Sequence, residues 1–156
     1  MPGTTTRLAD FLPYRLAITS NAVSGVIADE YGDRFGLRVP EWRIMAVLGD
    51  AGPLTQRDLV RATLMDKVAV NRACKQLEER GMLARFPNAA DGRSHHLVLT
   101  AQGTAIHAQI WPQAFGATER IFACLSEDER LGLRHILDKL LVAVGQREAA
   151  CGKAED

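Results

Sequence analysis

Apolar positions recur with a helical period along most of the chain, and give way to strict alternation in only one short stretch. From Asp10, an acceptable N-cap, the residues Leu12, Leu16, Val23, Val26, Ile27 and Tyr31 form a broad stripe. It predicts one long first helix, with Pro13 tolerated in its first turn, running to Phe35 and stopped by Gly36. Pro40 and Glu41 suit the opening of a second helix, whose apolar face is Ile44, Met45, Val47 and Leu48 and which the segment 49–53 ends. Thr55-Gln56-Arg57-Asp58 reads as an N-terminal cap for a short third helix through Ala62. Asp66 caps a fourth helix running to Arg80, with Gly81 as its stop. Two short strands follow, 82–86 and 95–99, and the intervening Asp91-Gly92 is a hairpin signal. In the second strand Leu97 and Leu99 alternate with His96 and Val98, so one face can be buried. Thr100 caps a fifth helix bearing Ile106, Ile110, Trp111, Phe115 and Phe122, kinked at Pro112. Ser126-Glu127-Asp128-Glu129 opens a sixth, with the stripe Leu133, Leu137, Leu140, Leu141 and Val144, before the chain frays from Gly145.

Two short helices joined by a tight turn and followed by a hairpin make a winged helix-turn-helix. The fold expected is mainly α with a small β-hairpin wing. The first, fifth and sixth helices exceed what one small core needs, so they are expected to bury their stripes against a second copy of the chain. At 156 residues, 47% apolar and 24% charged, the chain can bury a core as one domain without metal or disulfides. This excludes collagen-like, disordered and disulfide-rich classes. No apolar run approaches a membrane span, and the first residues lack a signal peptide's apolar core. Three widely spaced cysteines, Cys74, Cys124 and Cys151, fit a reducing cytosol and have no zinc spacing. The expected location is cytoplasmic, with no membrane partner. Net charge is zero, but residues 55–100 carry +3 against −1 before them and −2 after. That points weakly to a polyanion partner at the middle third.

The stretch from Leu54 to Thr100 resembles the MarR family of bacterial transcription regulators. The residues that carry the likeness are Asp66-Lys67-Val68-Ala69-Val70-Asn71-Arg72, the exit Leu77-Glu78-Glu79-Arg80-Gly81, and the wing Asp91-Gly92-Arg93 followed by Leu99-Thr100. It extends to Glu41-Trp42-Arg43 and the flanking helices, and so covers nearly the whole chain. The resemblance implies a single domain over 1–156: dimerisation helices at 1–36 and 101–148, a DNA-binding lobe at 37–100, and a flexible tail at 149–156. It implies a homodimeric repressor on a pseudo-palindromic duplex DNA operator, released by a small ligand such as an aromatic acid.

On the fourth helix, Val70, Cys74 and Leu77 share a face and should pack inward, which leaves Asn71, Arg72, Lys75 and Gln76 outward. Asn pairs with adenine and Arg with guanine, while Lys67 and Lys75 suit phosphates. The motif adds Val68 and Ala69 to the contact set. Thr55, Gln56 and Arg57 open a helix whose N-terminus can donate to phosphate, Thr55 chiefly as its cap. In the proteins this chain resembles, the wing Asp, here Asp91, orients the Arg, here Arg93, into the minor groove. Many carry a second Arg where Gly92 stands. Polar groups on otherwise apolar helices, Arg15, Ser20, Arg43 and His107, with Trp42 and Trp111 as walls, are the candidate ligand contacts. The bland reading of each is packing or a solvated face. Cys74 falls on the inward stripe and reads as an inert core cysteine. The four histidines form no metal pattern, and no cofactor is expected. There is no phosphate-binding glycine loop and no nucleophile elbow, so an enzyme is not expected. The alternative from another class is a winged-helix module that binds protein without specific DNA binding, which the neutral net charge keeps open.

Overall fold

A computed structural model describes the chain from Arg7 to Cys151, with side chains through Gly145. After a single 3-10 turn at Leu8–Asp10, the helices are α1 (Leu12–Asp29), α2 (Gly32–Phe35), α3 (Val39–Ala51), α4 (Gln56–Thr63), α5 (Lys67–Glu79), α6 (Ala101–Phe122) and α7 (Glu127–Cys151). Three strands, β1 (Leu54–Thr55), β2 (Leu83–Pro87) and β3 (His95–Leu99), form one antiparallel sheet in the order β1-β3-β2. The fold is a winged helix-turn-helix: α4, a three-residue turn, α5, and the β2–β3 wing. The residues up to Thr118 form one compact unit and those from Glu119 onward a second.

The caps follow from the sequence. Thr55 and Asp58 bond reciprocally: the Asp58 N–H donates to Thr55 Oγ1 at 3.2 Å, and the Thr55 N–H donates to Asp58 Oδ2 at 3.0 Å. The Ala69 N–H donates to Asp66 Oδ1 at 2.8 Å, fixing the first turn of α5. The Gly103 N–H donates to Thr100 Oγ1 at 3.0 Å, which opens α6. The Ser126 N–H donates to Glu129 Oε2 at 2.8 Å, which opens α7. Each satisfies a backbone donor that a helix start would leave unpaired. Gly81, at φ +71°, ends the passage out of α5 in the left-handed region that glycine enters without steric cost.

The core lies in the first unit. Trp42, Ile44, Met45 and Leu48 of α3 meet Leu59 of α4, Val70, Ala73, Cys74 and Leu77 of α5, Leu83 and Leu97 of the sheet, and Ile110 of α6. The inward stripe of α5 is as the sequence predicts. Among the described residues, Leu64 is the one non-glycine with positive φ, at +52°, in the turn between α4 and α5.

Three expectations are corrected. The first helix is not continuous: α1 ends at Asp29, and the Glu30 and Tyr31 N–H groups bond three residues back, to Ile27 and Ala28. That tightening places Tyr31 in the core, 1% exposed, and α2 restarts at Gly32. Asp10 does not cap α1: the N-cap is Phe11, without a side-chain bond, because Asp10 is spent in the preceding 3-10 turn. The hairpin forms as expected: its connection is a seven-residue loop closed by the Asn88 N–H on the Ser94 carbonyl, and Gly92 does not adopt a positive φ. Finally, α7 continues past Gly145 to Cys151, since the residues after Gly145 favour helix. Of the tail expected at 149–156, residues 152–156 lie outside the described ones. Among the described residues no helix is long and apolar enough to cross a membrane.

Candidate nucleic-acid interface

The third strand that sequence periodicity misses is what assembles the site. β1 pairs Leu54 with Leu97 and Thr55 with His96, so the residue that caps α4 also lies directly opposite a residue of the wing. A cleft of about 660 Å³ opens where α4, the start of α5 and the wing converge. The expected residues Thr55, Gln56, Arg57, Lys67, Asp91 and Arg93 line it, as does His95, and so do Arg61, Arg85 and Asn88, which the sequence reading did not single out. Arg61 follows Arg57 by four positions and shares its helix face, a signal that was there to be read.

The cleft is electropositive although the chain is neutral. Its two acids are both engaged. Asp58 accepts from the Thr55 hydroxyl at 2.6 Å as well as from the backbone, and these bonds hold its carboxyl below the usual range. Asp91 Oδ1 accepts from the Arg93 backbone N–H at 3.1 Å, an Asx turn that shapes the loop. The recorded bond thus fixes the Arg93 backbone rather than its guanidinium. Arg85 donates to Glu78 at 2.6 Å, so its charge is already matched, and this pair raises its pKa. Arg57, Lys67 and Arg93 are exposed, as is Arg61.

On α5 itself, Val68, Asn71, Arg72 and Lys75 are exposed. Their i, i+3, i+4, i+7 spacing puts them in one row opposite the buried stripe. Gln76 is half-buried, and Ala69 is half-buried with its N–H committed to Asp66. The row and the cleft lie in the same lobe. Neither Cys74, fully buried with its thiol pushed up to about 11 by desolvation, nor any cluster of metal-ligating side chains among the described residues adds other chemistry.

The candidate ligand residues divide. Trp42, His107 and Trp111 stack, with ring centroids 5.5 Å apart for Trp42–His107 and 5.7 Å for His107–Trp111, and Tyr31 lies 5.4 Å from Trp42. Arg43 donates to Ser24 Oγ at 3.3 Å, and a small cavity of about 190 Å³ is lined by Ser24, Ile27, Tyr31, Val39, Trp42 and Arg43. Arg15 and Ser20 do not line it: both are exposed, and Arg15 donates to the Ala9 carbonyl. Ser24 takes the place expected of Ser20, one helical turn along.

His107 Nε2 is buried and has no hydrogen-bond partner among the described residues. A Cβ at position 49 would lie 2.6 Å from it, so glycine there is required for the ring to seat. Desolvation lowers the His107 pKa. The imidazole takes its proton less readily in the fold than in the unfolded chain, where it does so near the ordinary value of 6.5. Stability is therefore full above that value and falls as pH drops below it. The thermal midpoint should fall more steeply from pH 7 to 5 for the wild type than for His107→Phe. Equal slopes would remove His107 from the acid sensitivity.

A model of the MarR family matches residues 35–94. An HTH-type transcriptional repressor of Mycobacterium tuberculosis is 28% identical over 131 residues, covering 83% of this chain and 91% of that protein. The crystal structure of a probable transcriptional regulator from Pseudomonas aeruginosa superposes with a TM-score of 0.73 at 28% identity, over 86% of this chain and 99% of that one. Bordetella bronchiseptica BpsR, solved in work on the regulation of its DNA binding by 6-hydroxynicotinic acid, matches with a TM-score of 0.74 at 25% identity, over 83% and 97%.

Proposed function

We propose, from its match to the MarR family of winged helix-turn-helix transcriptional regulators, that the chain is a homodimeric repressor of a pseudo-palindromic operator, released by a small aromatic acid. The observation that carries the DNA reading is the pairing, in one lobe, of the cleft cations Arg57, Arg61, Lys67 and Arg93 with the polar row Asn71, Arg72 and Lys75. In this docking mode α5 enters the major groove and the wing reaches the adjacent minor groove, where narrow A·T-rich tracts favour Arg93. Thr55, Gln56, Arg57 and Lys67 then contact phosphates at the cleft.

Dimerisation is supported by the apolar side chains the single chain leaves in water. In the first unit these include Leu12 at 71% exposed and Phe115 at 57%, and in the second Leu140, Leu141 and Val144. Stripes of this length are covered in stable proteins, and a second copy covers them symmetrically. The effector reading rests on Arg43 beside the Trp42 ring: a guanidinium pairs with a carboxylate while indole stacks on an aromatic ring. The 6-hydroxynicotinic acid of BpsR is a compound of that class.

The test is an anisotropy titration of the protein against duplex from upstream of its own gene, at two salt concentrations, with a scrambled duplex as control. Selective binding that weakens steeply with salt is expected, through counterion release from the phosphates neutralised. Addition of a small aromatic acid should then release the duplex. Equal, salt-insensitive binding to both duplexes, with no site recovered from a genomic fragment pool, would favour a protein-binding module instead.

A further inference from the structure

The outward row of α5 contains one residue that its neighbours do not explain. Asn71, Arg72 and Lys75 are polar, as a solvated or groove-facing row should be. Val68, which opens the row, is a large apolar side chain left 68% exposed. Every other large apolar residue of α5 is buried: Val70, Cys74 and Leu77 are each 0% exposed. Val68 thus belongs neither to the core cluster nor to the side chains packed against it. Its position is well defined all the same. It is the second residue of α5, in a turn pinned by the Ala69 N–H bond to Asp66 Oδ1. A β-branched side chain in a helix is also held to essentially one χ1 rotamer, so its two methyl groups have a fixed direction.

The partner follows from what a major groove offers. Base edges there present hydrogen-bond donors, acceptors and a single kind of apolar group, the C5-methyl of a pyrimidine, which unmodified DNA carries only on thymine. The flanking charges, Lys67 on one side and Arg72 and Lys75 along the row, favour a polyanion at this face over an apolar protein surface. We propose that Val68 reads a thymine in each half-site by packing its methyl groups on the thymine C5-methyl. This rests on the DNA-binding reading and adds a base preference to it.

The experiment removes that methyl and nothing else. Binding sites are selected from random duplexes. In the preferred site each thymine is then replaced singly by deoxyuridine, which keeps every hydrogen bond, and affinity is read by anisotropy. For the wild type, a deoxyuridine at the read position of a single half-site should weaken binding about three- to fivefold, the worth of one buried methyl, and about ten- to twenty-fivefold when both half-sites carry it. Val68→Ser, at an exposed position that leaves the fold intact, loses the contact in both half-sites, so it should bind the all-thymine site about ten- to twenty-fivefold more weakly and lose its sensitivity to the same deoxyuridine. A wild type indifferent to deoxyuridine at every position, or a penalty that persists undiminished in Val68→Ser, would overturn the proposal while leaving selective DNA binding standing. Failure to recover any salt-sensitive, selected site would instead bring down the DNA-binding reading, and this proposal with it. A parallel duplex with 5-methylcytosine at each cytosine separates the two sources of such a methyl: tighter binding there, without loss on deoxyuridine, would overturn the assignment to thymine.

Discussion

Replacing Gly103 by alanine is expected to lower the thermal midpoint by about 6–12 °C, the shift that about 3 kcal/mol produces in a domain of this size. A Cβ at this position would sit 2.0 Å from the carbonyl oxygen of Met82. Neither side can yield cheaply. That carbonyl already accepts the Thr100 N–H at 3.1 Å, and the Gly103 N–H is held by Thr100 Oγ1. The obstacle is therefore backbone against backbone, at the point where the first turn of α6 rests on the residue leading into β2. To relieve it, α6 must move away from the core that Ile110 fills further along the same helix. Calorimetry or thermal circular dichroism reads the outcome. An unchanged midpoint would mean that the first turn of α6 shifts without disturbing its packing.

Arg72→Ala is expected to weaken binding at the preferred operator about 10- to 100-fold and to relax the base preference at one position of each half-site, as loss of a bidentate guanine contact of about 1–3 kcal/mol does. The side chain is exposed on α5 and belongs to none of the caps or core contacts, so the midpoint of unfolding should not move. This separates it from Gly103→Ala, whose effect is on the fold. Affinity at the cognate site and the pattern recovered by selection are the two readouts. A loss below about threefold with an unaltered pattern would take Arg72 out of base readout.

What the sequence made readable was local chemistry. The caps at Thr55, Asp66, Thr100 and Ser126 involve partners three residues away or closer, and each forms as its residues dictate. The inward stripe of α5 was equally legible, because helical period alone separates Val70, Cys74 and Leu77 from Asn71 and Arg72. What escaped depends on partners remote in the chain. A two-residue strand has no periodicity of its own, and β1 exists only because β3 lies beside it. The break at Glu30 was masked by an apolar stripe that runs through to Tyr31. Arg85 enters the cleft by way of sheet register, which no single segment encodes. The exchange of Ser24 for Ser20 has a further cause: residues four apart share a helix face, so the face was legible and the height along the axis was not.

The pairing of β1 with β3 also bears on how this lobe is made. β2 and β3 are neighbours in the chain, and their hairpin can close early. Yet a lone two-stranded hairpin is at best marginal in water. Its third strand must be delivered from the far side of both α4 and α5, and that closure costs chain entropy before any contact repays it. The wing is thus an element completed late, locked only when the helices it flanks are already in place. Native-state amide exchange should register this as a single cooperative opening, in which protection at Leu97 and at the α4 cap is lost together.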